Sequence, residues 1–255
     1  MKKIILVIFC VISVASAQEV VNPLYYNTQL SKDPLNKTRS AMVLELPFFD
    51  DFSNYKGYPN SHLWYDMDAY VNTTYPIDPL NIGVVTLDGL DSIGNPYNMT
   101  TPNAHGKADY LTSNPIDISS FTQVYFSFYY QTQGLGNAPE NNDVLFLECL
   151  SDDNQWIEIW SQNGFDLSNF EEVQITISDS VFMHSDFQFR FYNKGTLSGG
   201  FDHWHLDNIL LTEDANLLSD KDDVAFVYET SQTLESYLQM PWEHYKADPL
   251  SFTKE

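Results

Sequence analysis

The sequence predicts an all-β fold, a two-sheet antiparallel β-sandwich followed by a short irregular extension. Three observations carry the prediction. Short runs alternating apolar and polar residues recur from Met42 to Thr212, and the runs are separated by Gly, Pro, Asn and Asp clusters. Nothing in that span repeats with the 3.6-residue period of an amphipathic helix. The chain also carries 17 Phe and 16 Tyr among its 255 residues, enough bulky β-forming side chains for one sizeable core without staples.

The elements follow in order. Residues 18–40 read as an extended lead-in, with a local strand at Leu24–Tyr26. Met42–Asp51 starts the domain, and Pro47 confines that strand to an edge. Leu63–Asn72 alternates Trp64, Asp66, Asp68 and Tyr70 against Tyr65, Met67, Ala69 and Val71, and reads as a strand. Ile82–Leu87 is a short apolar strand before the Asp88-Gly89 turn. Ala108–Ser113 leads towards the central sheet, where Val124, Phe126, Phe128 and Tyr130 oppose Tyr125, Ser127 and Tyr129. Asp143–Leu150 and Gln155–Ser161 read as a hairpin across Asp152-Asp153-Asn154, and Val173, Ile175 and Ile177 mark the next strand. Phe187–Leu211 then reads as a second hairpin. Its first arm alternates Phe187, Phe189 and Phe191, its turn is Lys194–Gly200, and its second arm begins Asp-His-Trp-His. Residues 213–255 read as an extension or the start of a further module, with a strand at Val224–Tyr228 and a short helix at Ser231–Tyr237.

Composition bounds the setting. Residues 1–17 have the form of an export signal, with Lys2 and Lys3 before an apolar run and Ala15-Ser16-Ala17 before Gln18. The run is too short for a membrane span, and none of about 18 apolar residues follows. The expected location is extracellular, at the cell surface or in the periplasm. Removing the signal leaves Cys149 as the one cysteine, so no internal disulfide is available. Its alternation with Leu145 and Leu147 predicts a buried, inert thiol. A net charge of −23 repels nucleic acid and anionic lipid, which removes both as expected partners. Asn36, Asn72 and Asn98 each head an N-x-S/T triplet.

At LPFFDDFS (46–53), ADYLTSNPIDIS (108–119) and FRFYNKGTLSGGFDHWHLDNILL (189–211) the chain resembles MAM-like modules, which are jelly-roll sandwiches of the concanavalin-like kind. It is similar above all to those near the N-terminal side of exported or surface proteins of Gram-negative bacteria with type IX secretion. The resemblance spans residues 41–212. It implies non-catalytic adhesion or protein recognition with surface or envelope proteins as partners. It also implies a structural Ca2+ held by Asp50 or Asp51 with Asp207. The disulfide cysteines of the animal modules are absent, so their mode of dimerisation does not carry over.

Two residue patterns suggest other chemistry. His203-x-His205-x-Asp207 places three potential ligands on one strand face, about 7 Å apart, a set that suits zinc in a metal-dependent hydrolase. The competing expectation puts Trp204 and Leu206 in the core and the histidines on a wetter face, bonded to neighbours. Trp156 and Trp160, with Tyr125 and Tyr129, are expected to face outward. On a shared sheet surface they would form a stacking platform for glycans, making the chain a carbohydrate-binding module. Glycoside hydrolysis needs two positioned carboxylates; Gln155–Trp160 carries only Glu158, so that activity is not expected. Arg190, among aromatic and acidic residues, is expected in an ion pair or a stacking contact.

Overall fold

The computed structural model describes residues 27, 43–218, 242–248 and 251. Its ten strands are β1 (Phe48–Asp50), β2 (Tyr70–Asn72), β3 (Val84–Leu87), β4 (His105–Thr112), β5 (Val124–Thr132), β6 (Val144–Leu150), β7 (Trp156–Asn163), β8 (Glu171–Ile177), β9 (Phe189–Thr196) and β10 (Trp204–Thr212). They form two antiparallel sheets, as the alternation predicts. The six-stranded sheet runs β2-β3-β10-β5-β8, with β1 also on β10, and the four-stranded sheet runs β4-β9-β6-β7.

The alternating strands turn one apolar face each into the space between the sheets. Phe126 and Phe128 of β5 meet Phe189 and Phe191 of β9 across the sandwich, with ring centroids 4.7 Å and 4.8 Å apart for the pairs Phe126–Phe189 and Phe128–Phe191. These edge-to-face contacts add roughly 0.5–1.5 kcal/mol each beyond area burial. Leu145, Leu147 and Cys149 complete the inner face of β6, all fully buried. Cys149 is a free thiol with its pKa pushed up by burial, as the alternation predicts.

Three expectations change. The Phe187–Leu211 hairpin does not form: β9 and β10 lie in different sheets, so the glycine-rich connection crosses the end of the sandwich. Each strand buries one apolar face, and that local pattern is the same whether a connection turns within a sheet or between sheets. The Leu63–Asn72 strand shrinks to β2. The amides of Leu63 and Trp64 both donate to Asn60 O in a turn, and Trp64 becomes a buried plug whose ring lies 5.1 Å from Phe48 and 5.7 Å from Phe189. The strand expected over Met42–Asp51 contracts to β1. By contrast, β6 and β7 form the expected hairpin, with Asn154 at φ 62° in its turn.

A six-residue helix, α1 (Trp242–Ala247), lies in the extension. The signal, the local strand at 24–26 and the elements expected at 224–228 and 231–237 fall outside the described residues. Among the described residues no helix is long and apolar enough to cross a membrane.

Candidate functional site

The outer face of the four-stranded sheet carries a set of aromatic and charged groups suited to a polar ligand. Because Leu111, Phe191 and Leu145 point into the core, their strand neighbours Tyr110, Tyr192 and Phe146 point away from it, Tyr110 and Phe146 half-buried and Tyr192 between them 5% exposed. Register then sets them side by side. Tyr192 is opposite Tyr110 on one flank and Phe146 on the other. The rings stack in a row, with centroids 5.5 Å and 4.7 Å apart.

Beside the row lies a charged pair. Arg190 Nε and Nη2 meet Glu148 Oε2 at 2.7 Å and 2.5 Å, with side-chain exposures of 17% and 10%. The guanidinium lies over Trp156, 4.0 Å from the ring centroid, and 5.4 Å from Tyr110. Lys107 Nζ sits 4.3 Å from the Tyr192 centroid, and Lys107 and Lys194 are opposite each other. Burial together with the nearby Glu148 pushes the Tyr192 hydroxyl well above its ordinary range, keeping it a neutral donor. Tyr110, Tyr192 and Phe146 escaped the sequence-based choice of site, although each alternates with a core residue. Arg190 occupies the ion pair and stacking contact expected of it.

The expected platform is only partly assembled. Trp156 faces out, but Trp160 packs inward, its ring 5.1 Å from Phe128 and 5.3 Å from Tyr130. The cause is a β-bulge: Leu147 pairs with Trp160 but Glu148 with Glu158, so β7 holds one extra residue and its faces switch. Tyr125 and Tyr129 do point outward, half-buried, but on β5 of the other sheet. They and Trp156 therefore occupy opposite surfaces of the molecule.

His203, His205 and Asp207 do lie opposite the core face of β10, but that face is not wet. They are 4%, 0% and 0% exposed. Loops cover them. Tyr75 packs on His203 at 4.9 Å between centroids. A Cβ on Gly134 would come within 2.5 Å of His205 Nε2, and one on Gly136 within 2.4 Å of His203 Cγ. His203 Nδ1 accepts from Asn137 N at 3.1 Å, and His205 Nδ1 pairs with Thr86 Oγ1 at 2.8 Å. Burial pulls their pKa values down to about 4 and about 3, so both are neutral rings.

Asp50 is a packing hub. Its Oδ1 accepts from Phe52 N at 3.0 Å, and its Oδ2 accepts from Trp64 Nε1 at 2.7 Å and from the Tyr55 hydroxyl. Asp51 Oδ1 accepts from the Ser53 amide and hydroxyl at 3.0 Å and 2.8 Å. Asp207 Oδ1 accepts from Asn208 N at 2.7 Å and Asn81 Nδ2 at 3.2 Å, whereas its Oδ2 is buried without a partner. Burial raises its pKa to about 8. Among the described residues one group of acidic, His or Cys side chains brings its ligand atoms within 4.8 Å of one another, and it is Glu140, Asp143 and Asp202. Neither Asp50, Asp51 and Asp207 nor the His203 set does so.

A cleft of about 350 Å³ lies between residues 96–102 and 198–201, with Met99, Thr101, Ser198 and Phe201 on its walls. Asn98 is partly exposed beside it, whereas Asn72 is buried, with its Nδ2 on Thr86 Oγ1 at 2.8 Å.

No family model matches the chain, and no curated protein matches it. Solved structures similar to it include Family 16 Carbohydrate Binding Module-2, at 13% identity over 59% of this chain and 90% of that one, with a TM-score of 0.35. Another is the CBM27-1 module of Caldicellulosiruptor saccharolyticus in complex with mannohexaose, at 15% identity, 66% and 98% coverage, and a TM-score of 0.37. A third is the K3 cleaved adhesin domain of Lys-gingipain from Porphyromonas gingivalis W83, at 12%, 65%, 96% and 0.39 respectively. Scores of this size say nothing about a ligand.

Proposed function

We propose that the chain is a non-catalytic glycan-binding module whose recognition surface is the outer face of the four-stranded sheet. The observation that carries this reading is the Tyr110–Tyr192–Phe146 row set beside the Trp156–Arg190–Glu148 group. Sugar rings present apolar C–H faces and hydroxyl edges. Aromatic rims suit the former, and a fixed guanidinium–carboxylate pair suits the latter, because it offers donors and acceptors already oriented. The surface is assembled from paired strands, whose backbone is already ordered before any ligand arrives, and this keeps the entropic cost of binding low.

Residues 1–17 and the resemblance to MAM-like modules support export and action at the cell surface or in the envelope. A structural calcium at Asp51 and Asp207 belongs to the same reading, supported by the partnerless Oδ2 of Asp207. The hydrogen bonds already made by both Asp50 oxygens favour Asp51 over Asp50.

The test is a glycan array probed with the full chain, covering neutral and uronate-containing polysaccharides, followed by calorimetry on the best ligand. Trp156→Ala and Arg190→Ala are expected to weaken binding at least about tenfold, or roughly 1.4 kcal/mol, with little change in melting for Trp156→Ala. A silent array would sink the glycan reading and return protein recognition to first place.

A further inference from the structure

We propose that Glu140, Asp143 and Asp202 form a calcium site that pins the β5–β6 connection to the β9–β10 connection. Glu140 and Asp143 come from residues 133–143 and Asp202 from residues 197–203, so the three meet only in the folded chain. One carboxylate oxygen from each lies within 4.8 Å of the others. Oxygens on opposite sides of a Ca2+ ion at about 2.4 Å each are separated by about that distance.

Like charges gathered this closely repel unless something neutralises them. The neighbours supply part of this. Asp143 Oδ1 meets His105 Nε2 at 2.7 Å, and its Oδ2 accepts from Glu140 N at 2.7 Å. Asp202 Oδ2 accepts from Thr196 N at 2.6 Å. These bonds orient the carboxylates and leave lone pairs for a cation, as outer-shell partners do at metal sites.

The second observation is independent of the clustering. Asp202 is 1% exposed, and its Oδ1 is buried with no hydrogen-bond partner. A buried carboxylate oxygen left without a partner costs on the order of a lost hydrogen bond or more. A cation held by the cluster accounts for that oxygen. The donor set is oxygen only, which selects a hard ion over zinc or copper, and exposed Glu140 leaves room for the waters that complete calcium coordination. The β5–β6 connection also supplies Gly134 and Gly136, which lid His205 and His203. The β9–β10 connection supplies Ser198 and Phe201 to the cleft. Calcium would therefore order one whole end of the sandwich.

The experiment uses the full chain, freed of metal by chelation and titrated with CaCl2 by calorimetry, with melting recorded in parallel. Saturable binding and a raised Tm are expected. Glu140→Gln, a change at an exposed side chain that leaves folding intact, is expected to lose one equivalent or to weaken it at least about tenfold. Asp202→Asn should do the same, while Asp51→Asn and Asp207→Asn should retain that equivalent. Absence of saturable binding, the result expected if a buried water satisfies Asp202 Oδ1, overturns the proposal. So does binding unchanged in Glu140→Gln, or a single equivalent lost only in Asp51→Asn or Asp207→Asn.

Discussion

At the scale of single residues, His205 shows how a short motif changes meaning under cover. Its ring is fully buried, with Nδ1 on Thr86 Oγ1 and Nε2 against Gly134. Protonating it inside the fold would place a charge where water does not reach, so the folded pKa falls to about 3 from 6.5. The unfolded chain binds this proton at pH values where the folded chain does not. The stability contribution is therefore complete above pH 6.5 and lost as pH falls towards 3. His205→Gln removes the titration without removing a polar side chain. We predict that the stability of the native protein relative to His205→Gln drops by about 2 kcal/mol between pH 7 and pH 5. Urea melts of both proteins at the two pH values test this, and a difference that does not move with pH would refute it. Comparing the pair cancels the opposing titration of the buried carboxylates.

At the scale of elements, the bulge in β7 decides which tryptophan serves which purpose. Ile159 and Trp160 are consecutive, yet both pack against the core, which a regular strand does not permit. Trp160→Ala is expected to cost about 3 kcal/mol of stability by opening space beside Phe128 and Tyr130. Trp156→Ala is expected to cost far less and to lose glycan binding instead. Denaturant melts and calorimetry on both variants separate the two roles, and equal stability losses would undo the assignment.

The same elements show what the chain reveals before folding. The core faces of β5 and β9 were legible because Val or Phe recurs at every second position and the residues between, Tyr, Ser and Arg, each carry a polar group. The extra residue in β7 leaves no local mark, since Trp-Ile-Glu-Ile-Trp alternates acceptably without it. The crossing between β9 and β10 looks like a hairpin for the same reason. Glycines 134 and 136 carried a signal that was not usable in isolation. They are small because two histidines far along the chain, His205 and His203, lie beneath them. The Tyr110–Tyr192–Phe146 row was likewise hidden, because it exists only through the register of three strands that are not neighbours in the chain.

At the scale of the whole molecule, an excess of acid is both spread over the surface and folded inside. The chain carries 35 Asp and Glu against 12 Lys and Arg, and Asp88, Asp109 and Asp207 are fully or almost fully buried. Burial raises the pKa of Asp68 to about 6, of Asp88 to about 7 and of Asp207 to about 8, and Asp109 is pushed well above its ordinary value. For these groups the folded state binds protons that the unfolded state, with pKa values near 3.8, does not. Their contribution is full below pH 3.8 and lost as pH rises through 6 to 8. His203 and His205 act in the opposite sense as pH falls through 6.5, and between pH 8 and pH 6 they take back roughly 0.8 kcal/mol each. The buried carboxylates still win in that interval, and the exposed acids, ionised at both pH values, repel about equally at each. We expect the chelated protein at low salt to gain on the order of 2 kcal/mol from pH 8 to pH 6, read as a rise in Tm. Added salt should raise Tm by similar amounts at the two pH values and leave the gain in place, because it screens the surface repulsion and not the buried groups. Asp88→Asn, which keeps a neutral side chain at every pH, should reduce the gain. A Tm that falls from pH 8 to pH 6 would mean that the buried carboxylates are ionised in the fold, and that cations or donors near them outweigh the cost of burial.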